Sequence, residues 1–354
     1  MKSIKLLLSA RKIAGIWVSF VFAMLFILSA CTENDHPKVD QIEINLQTQR
    51  LDQDIADIDT NNVADGLQKL KEKYPDFLDF YLDTLMGFGI QGNYTEAAAG
   101  IQLGLKPFLA HKDIRGLFDT VQKHFPDTKQ IEQQLVKGFQ FMKHYYPDYR
   151  IPKLIYFISG LNHWSVMTLD TTLIGIGLDM YLGDGYPFYS AVQIPQYVVR
   201  KCKPEYIAAN TFQTIYREKH PFVMEDKNLL DLIIQRGKEQ SFLNKIIPHT
   251  PDSIRFGFTQ AQLNWCDANE PDIYNFFITK NLLFETSPNK VHRFVFDGPT
   301  TAGMPPESPG NIGSWLGYKI VTAFVAQHAK ISLQELLAKN DAQKILQESK
   351  YKPK

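Results

Sequence analysis

The chain has 354 residues, 44% hydrophobic and 12% aromatic, with 38 basic residues against 38 acidic ones. That composition suffices for a sizeable core and excludes a disordered or low-complexity chain. A formal net charge of zero excludes a nucleic-acid binder that works through a strongly basic face, and three cysteines at this length exclude a disulfide framework.

Lys2, Lys5, Arg11 and Lys12 open the chain without an acid among them; an apolar run follows from Ile13 to Leu28, then Leu28-Ser29-Ala30-Cys31. Charge, apolar stretch and small residues in that order are a secretory signal. Small residues directly before a cysteine have the spacing of a bacterial lipobox. The expectation is a signal peptide over 1–30, with Cys31 acylated by palmitate-type chains that hold the protein on a membrane without a basic patch. Removing four basic residues leaves 34 against 38, a mature net charge of −4. Thr32 stands where an inner-membrane retention aspartate would, which favours the outer membrane and leaves the leaflet open. Residues 31–40 are polar, carry Pro37 and read as a lipid-anchored tether. No linker rich in Gly, Ser or Pro divides 41–354, so a single α+β domain is expected there.

Ile42, Ile44 and Leu46 alternate with polar residues, a half-buried strand pattern. Apolar residues at Ile131, Leu135, Phe139, Met142 and Tyr146 then predict a helix between caps at Asp127 or Thr128 and the stop at Pro147. Leu154 to Ile158 is a continuous apolar run and Ser165 to Gly177 offers a second, ending in Leu173 to Gly177; with an Asn162-containing turn between them they predict buried, paired strands. Asp179, Tyr181 and Asp184 follow in a Gly- and Tyr-rich loop that offers a binding edge. Helical patterns return after Pro204, around Leu229 to Gly237, and after Pro271; Ser332 to Glu335 fits a capping box. The predicted fold class is α+β, predominantly helical, with a small antiparallel sheet packed by helices.

Chemistry is harder to find. None of the nine histidines lies four residues from another, so the zinc-binding H-E-x-x-H pattern is absent, as are the serine-hydrolase elbow and the phosphate loop. Cys202 and Cys266 carry no mark of activation and read as buried thiols. No catalytic residue, metal ligand or cofactor is assigned. The most unusual segment runs from Asp297 to Trp315 with four prolines among its glycines, a stiff path leading into a helix. On that stiffness alone, Glu307 and Trp315 are expected on a partner-facing surface.

Several blocks resemble the gliding-motility lipoprotein GldB family of Bacteroidota. They are Ile151-Pro152-Lys153-Leu154-Ile155-Tyr156-Phe157-Ile158-Ser159-Gly160, Leu178-Asp179-Met180-Tyr181-Leu182-Gly183, Lys245 to Ser253, Asn281 to Pro288 and Gly303 to Gly317, with the lipobox at Cys31. The resemblance implies an envelope lipoprotein of the gliding machinery and, by extension, of type IX secretion, with other envelope proteins as partners and no nucleic acid. More distantly, a strand pair followed by two helices and a Gly-rich approach to Tyr318-Lys319 is similar to gluzincin-type predicted zinc peptidases. That likeness puts Glu205 to His220 and Gln235 to Glu239 in the metal-ligand slots without the histidines, and implies a degenerate peptidase-like architecture that binds a peptide or partner. A non-catalytic binding or assembly component is the leading expectation. A divergent metal-dependent peptidase and a glycan- or nutrient-binding surface lipoprotein are the alternatives.

Overall fold

Two apolar runs seed the sheet. In the computed structural model, which describes residues 36–354, they form β2 (Lys153–Phe157) and β4 (Leu173–Gly177). Strands β1 (Thr48–Arg50) and β3 (Ser165–Met167) complete a four-stranded sheet of order β1-β2-β4-β3. The expected antiparallel arrangement is corrected here. Leu154 lies opposite Ile174 in a parallel pairing, β1 also joins β2 in parallel, and only the β3–β4 hairpin is antiparallel. The chain leaves β2, takes the outer edge as β3 and folds back so that β4 inserts between them. Unbroken apolar runs suit such central strands, because both of their faces are covered. Gly177 is required at the end of β4: a Cβ there would stand 2.1 Å from the His163 carbonyl oxygen.

The expected strand over 42–46 is also corrected. Ile42, Ile44 and Leu46 do alternate half-buried with exposed residues, but the ladder begins later, where Leu154 N donates to Gln47 O at 2.8 Å. Val39 is buried in the core, so the body begins inside the stretch expected to be tether. The signal stretch and Cys31 lie outside the described residues.

Helices of six residues or more make up most of the rest: α1 (Leu51–Ala56), α2 (Val63–Lys73), α3 (Lys112–His124), α4 (Lys129–Tyr145), α5 (Ile207–Lys219), α6 (Leu229–Ile246), α7 (Gln260–Ala268), α8 (Glu270–Thr279), α9 (Pro288–Val295), α10 (Ile312–Gln327), α11 (Leu333–Ala338) and α12 (Ala342–Ser349). The fold is predominantly helical α+β. The predicted stripe on α4 is buried at Ile131, Leu135, Phe139 and Met142, while Tyr146 caps the helix half-buried; Ser332 makes the reciprocal capping box with Glu335 at the start of α11.

Apolar packing gathers into two clusters, one around the sheet and one among the C-terminal helices. Helix α6 serves both, with Leu229 to Ile234 in the second and Phe242 to Ile246 in the first. Its crossing with α10 is so close that a Cβ on Gly317 would meet the Ile233 carbonyl oxygen at 2.0 Å. Fourteen of its eighteen residues are buried, including Arg236, Lys238, Glu239 and Gln240. Buried groups of that kind need partners, and following those partners leads to the site.

Candidate functional site

Helix α5 turns Asn210, Gln213, Thr214 and Arg217 onto one face, the three- and four-residue spacing of neighbours on a helix. That face, the edge strand β3 and the middle of α6 enclose a polar cleft of about 490 Å³. Ser165 of β3 ties the strand to the helix: its hydroxyl donates to Asn210 O at 3.2 Å and shares a short hydrogen bond with Thr214 Oγ1. Asn210 Nδ2 in turn donates to the buried Tyr181 hydroxyl at 3.1 Å, and that hydroxyl donates to Trp164 O at 3.3 Å.

One carboxylate organises the charge. Glu239, 3% exposed, accepts from Arg217 Nε and from Arg236 Nη1, each at 2.9 Å. Arg236 is buried as well; its Nε donates to Val295 O at 2.9 Å and its guanidinium stacks 3.9 Å above the Phe222 ring. Arg217 keeps 45% of its side chain exposed and lines the cleft. Across from them Lys201 pairs with Asp297 through a short contact. Desolvation works to raise the Asp297 carboxyl, yet Lys201, Arg236 and Arg217 together hold it below its ordinary value. Deeper in, Arg255 Nη1 donates to Gln240 O at 3.0 Å and Gln240 Nε2 returns to Arg255 O at 3.2 Å. Arg255 Nε and Gln240 Oε1 are left without a protein partner among the described residues.

The Pro- and Gly-rich segment closes the far side. Its two ends are pinned together, since a Cβ on Gly310 would collide with the Gly298 backbone at 2.3 Å, and Thr301 Oγ1 donates to Pro309 O at 2.6 Å. The ends, Asp297 and Asn311, line the cleft. Glu307 is exposed at the loop's middle, away from the cleft lining. Trp315 is 2% exposed, which corrects the expectation that it faces a partner: the helix start turns it inward, into the second apolar cluster. The proposed binding edge at Asp179 and Tyr181 is corrected in the same way. Both are fully buried, and Asp179 accepts from Ser159 N at 2.9 Å and Leu161 N at 2.6 Å, so it braces a turn. Cys202 and Cys266 are buried free thiols.

A zinc site would need nitrogen or carboxylate donors free to converge. The positions one turn apart that face the cleft are Asn210 and Thr214, and Gln213 and Arg217, none of them a zinc ligand, and the carboxylate opposite is already held by two guanidiniums. A divalent cation there would stand beside fixed positive charge, so these residues do not fit one. Among the described residues no group of three or more His, Cys, Asp or Glu side chains is placed to hold a metal. Sequence reasoning missed the cleft; its signals were the polar stripe on α5 and the charged run from Arg236 to Glu239 inside an apolar helix.

The family model for gliding motility protein GldB matches residues 32–353, so this chain belongs to the GldB lipoprotein family and is related to gliding motility. No curated protein and no solved structure matches it, and the zinc-peptidase likeness gains no support from either comparison. Among the described residues no helix is long and apolar enough to cross a membrane.

Proposed function

We propose that this GldB-family lipoprotein serves gliding, and the type IX secretion that goes with it, as a non-catalytic binding component. It is held on the outer membrane through acyl chains on Cys31, and the α5–α6 cleft is where it takes an extended segment of another envelope protein. The observation that carries this reading is the outer edge of β3, the last strand of the sheet among the described residues, beside that cleft. Gly177 N donates to Trp164 O and Thr168 N to Leu173 O, each at 3.1 Å, so the alternate residues Ser165 and Met167 turn their main-chain N–H and C=O groups away from β4. Outward strand groups next to a recessed polar wall suit the addition of one more strand. The cleft's cations are fixed by Glu239, Asp297 and a buried hydrogen-bond network, which makes them positioning groups for a ligand rather than acids or bases in motion.

Gln213 lines the cleft and has no side-chain hydrogen bond to a described residue, so Gln213→Trp fills the space without breaking a partner seen there. In cells, this variant is expected to reach the membrane at the normal level and to lose colony spreading. Normal spreading by a correctly folded Gln213→Trp protein overturns the cleft as the binding site. Elemental analysis of the purified mature protein tests the non-catalytic part, since stoichiometric zinc would refute it.

A further inference from the structure

Behind the Arg217–Glu239 pair lies a second cavity of about 290 Å³, between the end of α5, the first half of α6 and the connection from α11 to α12. Its charge is organised differently from the cleft's. Every cation named in the cleft has a carboxylate in an ion pair. Lys219, Lys227, Lys238 and Lys339 line the second cavity, and none of the four makes an ion pair with a described residue. Its two acids are already engaged: Glu239 by the arginines, and Asp231 by the Asn228 amide in the capping box of α6.

We propose that this cavity is a binding site for a phosphate group. Lys238 is its centre, 6% exposed, with Nζ donating to Leu337 O at 3.0 Å and Lys339 O at 2.5 Å. An ammonium has three protons, so one remains for a ligand. Burial without a carboxylate brings the Lys238 pKa down to about 8. His220, half-buried on the same wall, is lowered by burial and then by the charges of Lys238 and Lys219.

Clasping the two carbonyls after α11 explains why one lysine is buried. It does not explain three more lysines, none of them in an ion pair with a described residue, around the same space. Lys219 does find company, since its ammonium lies 4.8 Å from the Tyr149 ring centre, and Lys339 lies 5.8 Å from that of Phe324. Among the described residues Lys227 has no such contact, and Lys238 none beyond the carbonyls. Lysines act on phosphate as compact point charges from several directions, whereas planar carboxylate recognition favours the arginine fork. A lysine-lined cavity of this size therefore matches a tetrahedral anion, either free phosphate or the monoester head of a lipid.

The test uses the mature lipoprotein in detergent at pH 7, with melting temperature and titration calorimetry as readouts. Inorganic phosphate and, separately, dihexanoyl phosphatidic acid are compared with sodium chloride at equal ionic strength. Binding of phosphate or of the phosphatidic acid, above the chloride effect, is expected, and whichever ligand binds tighter names the source. Lys238→Met should weaken binding about tenfold in Kd, or about 1.4 kcal/mol. Because Lys238 also clasps backbone, the double variant Lys227→Gln/Lys339→Gln is measured beside it; it leaves the clasp intact and should lose a similar factor. If neither ligand exceeds chloride, or if the double variant binds as the parent does, the site is refuted. The cleft reading is untouched by that failure, because Gln213→Trp does not alter this cavity.

Discussion

The closeness of α6 and α10 places both sites, and Gly317→Ala tests it. The added Cβ would stand 2.0 Å from Ile233 O and 2.9 Å from Gly237 N. Carbon–oxygen contacts are ordinarily about 3.3 Å or longer, so the helices must part by roughly 1 Å or bend. Overpacking of this kind costs about 1–3 kcal/mol, and backbone atoms cannot rotate aside as a side chain would, which places the strain near about 3 kcal/mol. Alanine in place of glycine returns about 1 kcal/mol of helix propensity. The expected net loss is about 2 kcal/mol in urea unfolding followed by circular dichroism. Gly116 is the internal control, for it lies in α3 with nothing within 4 Å of its would-be Cβ. There the propensity term acts alone, and Gly116→Ala should stabilise by up to about 1 kcal/mol. If Gly317→Ala is as stable as the parent, or if the two variants shift stability alike, the close crossing does not hold the helices as argued.

Three further outcomes follow from the buried charges and thiols. Arg236→Met should cost about 3–5 kcal/mol by leaving Glu239 buried with one partner, while Arg217→Ala, nearly half exposed, should cost about 1 kcal/mol or less through its own pair, and equal losses in denaturation would contradict this division. Burial raises the Asp179 carboxyl from 3.8 to about 6 despite the Leu161 and Ser159 amides, so its contribution to stability is full below pH 3.8 and is lost as pH rises through 6. The change is about 3 kcal/mol, and an unaltered pH slope of stability in Asp179→Asn over that window would count against it. Burial pushes both Cys202 and Cys266 thiols up to about 12, so iodoacetamide at pH 8 should label them only after denaturation; labelling of the native protein at a free-thiol rate would show them accessible.

Helix α4, the capping box at Ser332 and the two buried central strands were legible because each is written in a local period or a short cap pattern. Sheet direction was misread: unbroken apolar runs mark strands covered on both faces, as in parallel sheets, whereas half-solvated antiparallel strands alternate. The antiparallel β3, three residues long, lay unseparated within the second run. Trp315 shows a second limit. A stiff loop announces that its path is specific, but whether the next aromatic turns in or out depends on the helix it joins, and every residue of α10 from 312 to 317 is buried. Glu307 stays on the surface because the loop's own hydrogen bonds are satisfied nearer its base, at Thr301, Ser308 and Pro309.

The polar run on α6 is the part a sequence reading most easily passes over. Inside a helix buried along both clusters, Arg236, Lys238, Glu239 and Gln240 would each be costly if they merely filled space. The helical period separates them: Arg236 and Gln240 line the cleft, Gln235 and Lys238 the second cavity, and Glu239 borders both. The Arg217–Glu239–Arg236 bridge is thus the common wall of two polar spaces with opposite charge logic, one with its cations paired and one with its lysines unpaired. Stability alone asks for neither, since apolar side chains of similar volume commonly hold such a crossing as well or better. Binding in the two spaces, as proposed, gives these charges a use that stability does not.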